Sequence, residues 1–388
     1  MKKAIILTYI PSPYRTVVFD ELENLDNTAL QVVYMSKGDS KFDWKKQSFS
    51  HQPIFIEDQM ASKGKWSLIK AVWSLLKKEN PQAVITCGFT LPMLAAMLWA
   101  LINGKKRLVN TDAWTKIEQA YSWKHRWIRK IIYPSVHAAI PVSEKGKTMF
   151  KHYGVAEEKI FISHYAIDHD HYVATSVQEK EFDLIFSGQM IERKMPMFFA
   201  QVVQELRKHK PDLKVLIIGN GELKETFLNK IKETGVHWEY PGFIQPDQLA
   251  AYYSRAKVLL FPTLSDSWGV VANDAMSSGT LVMTCDNAGC ANEIVEHEVN
   301  GWVLPLETDL WVKSLETVLS DDQLYHRLRS QALIQAEKYH PKKSAEMLLA
   351  AISFVLLPLA NAIKTSNSRS ERISTGFVSP DNCVIAIC

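Results

Sequence analysis

Short, unbroken apolar runs recur along this chain, each followed by a longer stretch with apolar residues at helical spacing. A strand without polar alternation must be covered on both faces, and strands joined by helical crossovers run parallel. The pattern restricts the chain to a layered α/β architecture. In the front half it predicts strands at Lys3–Tyr9, Leu30–Tyr34, Ala83–Cys87, Arg107–Asn110 and Ala138–Val142. Helices are predicted at Asp20–Leu25, Trp66–Lys78, Leu91–Ile102, Tyr121–Tyr133 and Ser143–Tyr153. A polar, aperiodic segment, His164–Glu181, follows and reads as a linker.

The alternation then restarts. Strands are expected at Phe182–Ser187, Lys214–Gly219, Val236–Tyr240, Val258–Pro262 and Leu281–Thr284, with helices between them and at Asp309–Leu319 and Asp322–Lys338. The expected fold is two Rossmann-like doubly wound domains in series with a cleft between them. The N-terminal domain covers 1–165, the linker 166–181 and the C-terminal domain 182–345. A helix over 346–363 is expected to pack back on the N-terminal domain, and 364–388, rich in Ser and Asn, reads as a weakly ordered tail. Ligands in such folds bind outside the carboxyl ends of the strands, at helix N-termini.

Composition narrows the setting. At 388 residues, 47% hydrophobic and 22% charged, the chain is neither disordered nor a collagen or coiled-coil rod. The net charge of +3 conceals an asymmetry: residues 1–165 carry 24 Lys/Arg against 14 Asp/Glu, and residues 166–388 carry 21 against 28. Different partners are expected for the two halves. Five cysteines without a CxxC pair support neither a disulfide framework nor a zinc site, which fits a reducing, cytoplasmic setting. The apolar run Ala4–Ile10 is followed by Pro11-Ser12-Pro13 and reads as a first strand, not a signal peptide. Leu91–Ile102 is too short to span a bilayer, and Met347–Ile363, interrupted by Pro358, reads as a buried helix.

Three segments carry chemistry. In Leu259–Gly279 a strand ends at Pro262, a loop bears Asp266, Trp268 and Gly269, and a helix starting near Val270 carries Asp274. Loop amides around Trp268–Val271 would favour an anion at the helix N-terminus. The two carboxylates flank that position; helix capping is the structural alternative. In Phe186–Pro196, Gly188 closes a strand, Gln189 follows, and Arg193-Lys194 precede a helix, as a phosphate pair or as a solvated loop. In Leu216–Glu222, Gly219-Asn220-Gly221-Glu222 forms a turn that lets a nucleotide approach or is simply tight; Pro241-Gly242-Phe243 could frame a base or cap a strand.

Together these segments resemble the donor half of retaining glycosyltransferases of the family-4 type, the glycosyl transferases group 1 with a GT-B fold. The order G-x-x-x-x-x-K, G-N-G-E, then acidic-x7-acidic enclosing W-G and followed by A-M-x-x-G matches, and Asn287–Glu293 and Val299–Pro305 extend it. The resemblance implies that Lys194 holds the donor diphosphate with the amides after Trp268. It also implies that Asp274 meets ribose hydroxyls, Asp266 the transferred sugar, and Glu222 and Phe243 the nucleotide. Three positions depart from the family: Gln189 stands where Arg is usual, Asp266 and Asp274 where Glu is usual, and Cys290 where a second Gly is usual. Arg193 could replace the missing cation, and the shorter carboxylates leave room for water.

The reaction implied is transfer of a sugar from a nucleoside-diphosphate sugar, a co-substrate rather than a cofactor, to an acceptor hydroxyl with retained configuration. The leaving phosphate would help deprotonate the acceptor, so no side-chain nucleophile is needed. A glycan or lipid-linked acceptor in surface polysaccharide, lipopolysaccharide or glycolipid assembly is expected, on the N-terminal domain. Candidate acceptor residues end strands on the cleft side: Tyr14 and Arg15, Phe89 and Thr90, and Asp112 and Trp114, with Asp112 the candidate polar group; loop contacts are the alternative for each. Asp168-His169-Asp170 has the form of a metal-binding triplet, but two carboxylates alone hold a hard cation poorly, so no metal is assigned.

Lys105–Lys130 holds eight Lys/Arg and two acidic residues, interleaved with Trp114, Trp123 and Trp127. That composition suits an anionic membrane surface or, more plainly, a solvated helix face. No nucleic-acid recognition motif accompanies the charge. Other functions open to the chain are nucleotide-sugar epimerisation and non-catalytic nucleotide-sugar binding.

Overall fold

The structure is a computed structural model and describes residues 4–25, 30–38, 44, 48–60, 64–175 and 179–356. Two six-stranded sheets, all parallel, form the two domains. The first contains β1 (Ala4–Thr8), β2 (Leu30–Tyr34), β3 (Ile54–Phe55), β4 (Ala83–Cys87), β5 (Lys106–Thr111) and β6 (Ala138–Pro141) in the order β3-β2-β1-β4-β5-β6. The second contains β7 (Phe182–Ser187), β8 (Lys214–Ile218), β9 (His237–Gly242), β10 (Ala256–Phe261), β11 (Leu281–Thr284) and β12 (Gly301–Val303) in the order β12-β11-β10-β7-β8-β9. Each sheet reverses direction beside its first strand, so each has a switch point where two loops diverge and leave a crevice.

Successive side chains of a strand face opposite ways. Along β1, Ile5 and Leu7 pack beneath the helices Lys65–Glu79 and Leu91–Ile102, while Ala4 and Ile6 pack on the other side. That second side is closed by the helix Pro13–Leu25 and by the last described helix, Pro341–Leu356. Ala345, Leu348, Ala351, Ile352 and Val355 of the latter are buried in one cluster with Val18, Phe19 and Leu22. The chain thus leaves the second domain and completes the core of the first. Residues 357–363 of the expected helix and the expected tail 364–388 lie outside the described residues.

Several elements differ from the sequence reading. The first helix begins at Pro13 instead of Asp20, because proline's fixed φ suits the first helical position. Tyr14 and Arg15 therefore sit in its first turn, not in the loop that ends the first strand. The linker is not uniformly irregular: a helix, His169–Thr175, buries Tyr172 and His169 against the second domain, where His169 Nδ1 meets Ser277 Oγ at 3.1 Å. Strands β3 and β12 are too short to show a periodicity, and pairing with β2 and β11 creates them. Among the described residues, no helix is long and apolar enough to cross a membrane.

Candidate active site

The carboxyl ends of β7, β8 and β10 open toward the first domain around a cavity of about 450 Å³. Its base is a pair of crossing loops. Gly188 N donates to the Ile218 carbonyl at 3.1 Å, and Met190 N to that of Asn220 at 2.8 Å. Gly219 has φ +130°, and a Cβ there would lie 1.9 Å from the Gly188 oxygen. The G-N-G turn is therefore required by contact between two protein loops as well as by any approach of a ligand.

Arg193 and Lys194 lie in one 3-10 turn, Glu192–Lys194, ahead of the helix Pro196–His209. Thr263 Oγ1 and Leu264 N both donate to the Arg193 carbonyl, at 3.0 and 2.9 Å, tying this turn to the loop after β10. Lys194 Nζ pairs with Asp266 Oδ2 and lies 4.8 Å from the centre of the Phe261 ring. Arg193 Nη1 reaches the same Asp266 oxygen at 3.1 Å and the Ser265 carbonyl at 2.7 Å. Asp266 Oδ1 accepts from Trp268 N at 3.2 Å. Burial pushes the Asp266 carboxyl up, but Lys194 and Arg193 outweigh this and hold it below the ordinary aspartate value. Two cations facing one carboxylate leave a positive surplus at the cavity wall.

The helix Val270–Ser277 starts at Gly269, whose φ of +95° turns the loop into the helix. No side chain caps this end, so its first amides and the positive end of the helix dipole face the cavity. Further along the same helix, Asp274 is fully buried and neither carboxylate oxygen has a hydrogen-bond partner. Burial pushes its carboxyl up to about 7, against the pull of the Tyr172 hydroxyl in the other direction. The carboxyl's charge bears also on the Tyr14 and Tyr253 hydroxyls, and Tyr253 in turn donates to Ser187 Oγ at 2.7 Å. A buried carboxyl without partners at a cavity wall is costly to the fold and ready to accept hydroxyls from a ligand.

Of the residues expected on the donor side, Gly188, Gln189, Arg193, Lys194, Gly219, Phe243, Asp266, Trp268, Gly269, Val270, Val271 and Asp274 line this one cavity. Glu222 does not. It is exposed at the start of the turn before the helix Lys224–Glu233. The acceptor-side candidates separate. Tyr14 lines the cavity together with Trp44 and Tyr165, and its ring meets that of Trp44 edge-on at 6.2 Å. Arg15 is turned away and pinned: it bonds Asn110 Oδ1 and donates to the Tyr165 hydroxyl at 2.8 Å. That hydroxyl donates onward to Asp112 Oδ2 at 3.1 Å, so Asp112 lies behind the wall. Phe89 packs on Tyr133 at 5.4 Å and beneath the Arg129 guanidinium at 4.6 Å, and Thr90 is exposed at the start of the helix Leu91–Ile102.

Trp114 is a strut between domains, its Nε1 donating to the Asp266 carbonyl at 3.0 Å. The 285–293 loop, read from sequence only as an extension of the donor motif, receives further contacts from the first domain. Lys145 Nζ donates to the Ala288 carbonyl at 2.7 Å, Lys116 to Asn287 Oδ1, and Glu144 N to Glu293 Oε2 at 2.9 Å. Sequence reasoning missed Tyr165, Tyr172 and Tyr253 at the cleft; each sits in a stretch that reads as core or linker, and only folding brings the three together. Asp168 and Asp170 belong to the linker helix and its approach, where Asp170 is nearly fully exposed. Among the described residues, no three His, Cys, Asp or Glu side chains gather as a metal set.

Two Rossmann-type domains of identical strand order, facing each other across a cleft with cations, a bare helix N-terminus and a buried carboxyl on one wall, define a GT-B fold. Residues 171–334 match the family model of glycosyl transferases group 1. Over 149 residues, 37% of this chain, the sequence is 31% identical to an uncharacterized glycosyltransferase of Methanocaldococcus jannaschii, of which the match covers 37%. Over 193 residues it is 27% identical to D-inositol 3-phosphate glycosyltransferase of Paenarthrobacter aurescens, covering 47% of each. The chain thus spans less than half the length of these curated relatives. Across 91% of its length it superposes on all of Anabaena HepE, solved in complex with UDP and glucose, with a TM-score of 0.70 and 14% identity, a likeness of fold.

Proposed function

We propose that this chain is a retaining, metal-independent glycosyltransferase of hexosyltransferase type. It moves a sugar from a nucleoside-diphosphate sugar to a hydroxyl of a glycan or lipid-linked acceptor in surface polysaccharide or glycolipid assembly. The observation that carries this reading is the convergence of Arg193, Lys194, the amides after Gly269 and the bare Asp274 carboxyl on one cavity. The first three suit a diphosphate, and the fourth suits a ribose diol. HepE, similar in fold, holds UDP and glucose in its own structure.

Lys194 is paired with Asp266. An arriving diphosphate competes for the ammonium, which frees one acceptor position on Asp266 Oδ2 for a sugar hydroxyl while Arg193 still holds that oxygen. Donor binding would thereby prepare both ends of the bond to be broken. As that bond opens, charge accumulates on the departing phosphate, and Lys194 with the oriented amides stabilises it without reorganisation. The phosphate oxygen takes the acceptor's proton as the new glycosidic bond forms.

The test is thermal unfolding with UDP-, GDP- and ADP-sugars, followed by incubation of the stabilising donor with and without acceptors. A ligand at a hundredfold over its Kd should add about 2.7 kcal/mol to stability. Transfer with retained anomeric configuration, insensitive to chelator, supports the reading. Conversion of the donor alone would instead indicate an epimerase, tight binding without transfer a non-catalytic partner, and no stabilisation by any donor would refute it.

A further inference from the structure

The part of the basic segment that carries Trp123 and Trp127 plays no part in the cavity, and its three-dimensional arrangement differs from a solvated helix face. The helix Leu91–Ile102 joins β4 to β5, and the helix Trp123–Ile132 joins β5 to β6. Both crossovers step in the same direction along the sheet, so right-handed connection places both helices side by side on one face. Their inner sides share a core in which Met97 of the first packs with Tyr133 at the end of the second. Their outer sides are apolar where water should favour polar groups. Trp123, Trp127 and Ile131, one turn apart, are 67%, 60% and 53% exposed. Leu98, Leu101 and Ile102 form a second stripe at 50%, 55% and 66%. Single exposed apolar residues are ordinary, but two stripes on the same face of the sheet that include two tryptophans mark an interaction surface.

The charge around these stripes has one sign. From Leu91 to Ile132 the only carboxylates are Asp112 and Glu118. Asp112 is held by the Tyr165 hydroxyl, and Glu118 is buried in an ion pair with Arg129 at 3.2 Å. That pair removes Arg129 from the surface, clamps its guanidinium between Phe89 and Tyr121, and sets which side of the helix faces outward. Lys106, Lys124, Arg126 and Lys130 stay exposed with no carboxylate of this segment to answer them. We propose that this two-helix face docks on a lipid bilayer bearing anionic headgroups, with Trp123 and Trp127 inserted at headgroup depth and Lys124, Arg126 and Lys130 on the lipid charges. Indole rings suit that boundary, and a cationic rim around an apolar centre matches a negatively charged bilayer. A second copy of the chain would bring like charges together across a two-fold axis, which disfavours it as the occupant. The inference stands independently of the sugar-transfer reading.

The test is sedimentation of the full chain with vesicles of phosphatidylcholine alone and of phosphatidylcholine mixed with phosphatidylglycerol, and quenching of tryptophan emission by brominated lipid. Binding is expected only to the anionic vesicles and should weaken with salt. Lys124→Glu and Arg126→Glu should each lower the partition coefficient by roughly fivefold or more. The double variant Trp123→Ala/Trp127→Ala should lose the bromine quenching and most of the binding while keeping its melting temperature, since both side chains are exposed. Equal partitioning to neutral and anionic vesicles, unaltered binding by the double variant, or a stable dimer that shields both indoles would each overturn the proposal.

Discussion

Replacing Asp274 with Asn isolates the cost of keeping an unpartnered carboxyl in the cavity wall. The folded state holds the Asp274 carboxyl near 7 through burial, against an ordinary value of 3.8. As pH rises from about 4, the unfolded chain ionises while the folded chain retains its proton, so this group makes stability fall with pH. The fall ends once the folded carboxyl also ionises, a little above pH 7. The gap from 3.8 to about 7, at about 1.36 kcal/mol per pH unit, makes the whole effect about 4 kcal/mol. Somewhat less than half is already lost at pH 5, so roughly 2–3 kcal/mol should separate pH 5 from pH 8. Asn mimics the protonated acid and cannot ionise. Urea unfolding followed by tryptophan emission at the two pH values, for both proteins, measures the difference. The Asn variant should gain on the wild type by roughly 2–3 kcal/mol between pH 5 and pH 8, and should lose nucleoside-diphosphate binding. Parallel pH profiles, or a variant that loses ground as pH rises, would refute the argument that Asp274 is buried without a partner.

Other substitutions probe the neighbouring contacts. Lys194→Ala should abolish stabilisation by nucleoside diphosphates in a thermal shift experiment while costing about 1–3 kcal/mol in the free protein, because Arg193 still faces Asp266. Gly219→Ala sets a Cβ 1.9 Å from the Gly188 oxygen at a φ of +130°, so it should destabilise by about 3 kcal/mol or more; an unchanged melting temperature would count against the loop crossing. Burial pushes the Glu293 carboxyl up to about 8, so at pH 7 it is mostly protonated and Glu293→Gln should be near neutral. Glu293→Ala strips the acceptor from Glu144 N and should cost about 1–3 kcal/mol by denaturant unfolding.

The cavity wall built by the second domain was legible because its residues lie in short loops whose positions follow from the strands that precede them. Gly188 after β7, Gly219 after β8 and Asp266 after β10 are each placed by a strand end, and three neighbouring parallel strands end at one edge of a sheet. Helical spacing likewise places Asp274 one turn beyond the first amides. Glu222 departs because the turn after β8 directs its side chain to water.

The other wall was less legible. Tyr14 and Arg15 are adjacent in sequence, but Tyr14 lines the cavity while Arg15 is held by Asn110 and Tyr165. Trp114 ends a strand on the cleft side, as its position implied, but spends its indole N–H on the partner domain. Phe89 and Arg129 pack on each other, so a loop aromatic and a surface cation both became interior groups.

By itself, the sequence determined the two doubly wound domains, their parallel strands and the loops that line the second domain's side of the cavity, because apolar periodicity, glycine turns and strand ends act over a few residues. Only the tertiary structure decided which carboxylates are paired and which is bare, that Trp114 joins the domains and that Trp123 and Trp127 face outward. It also decided that Pro341–Leu356 completes the first domain's core. Those outcomes depend on burial and on partners far away along the chain, as in the 152-residue separation between Trp114 and Asp266. Such partners carry no local signature, and charge and hydrogen-bond energies are set by the dielectric surroundings that folding creates.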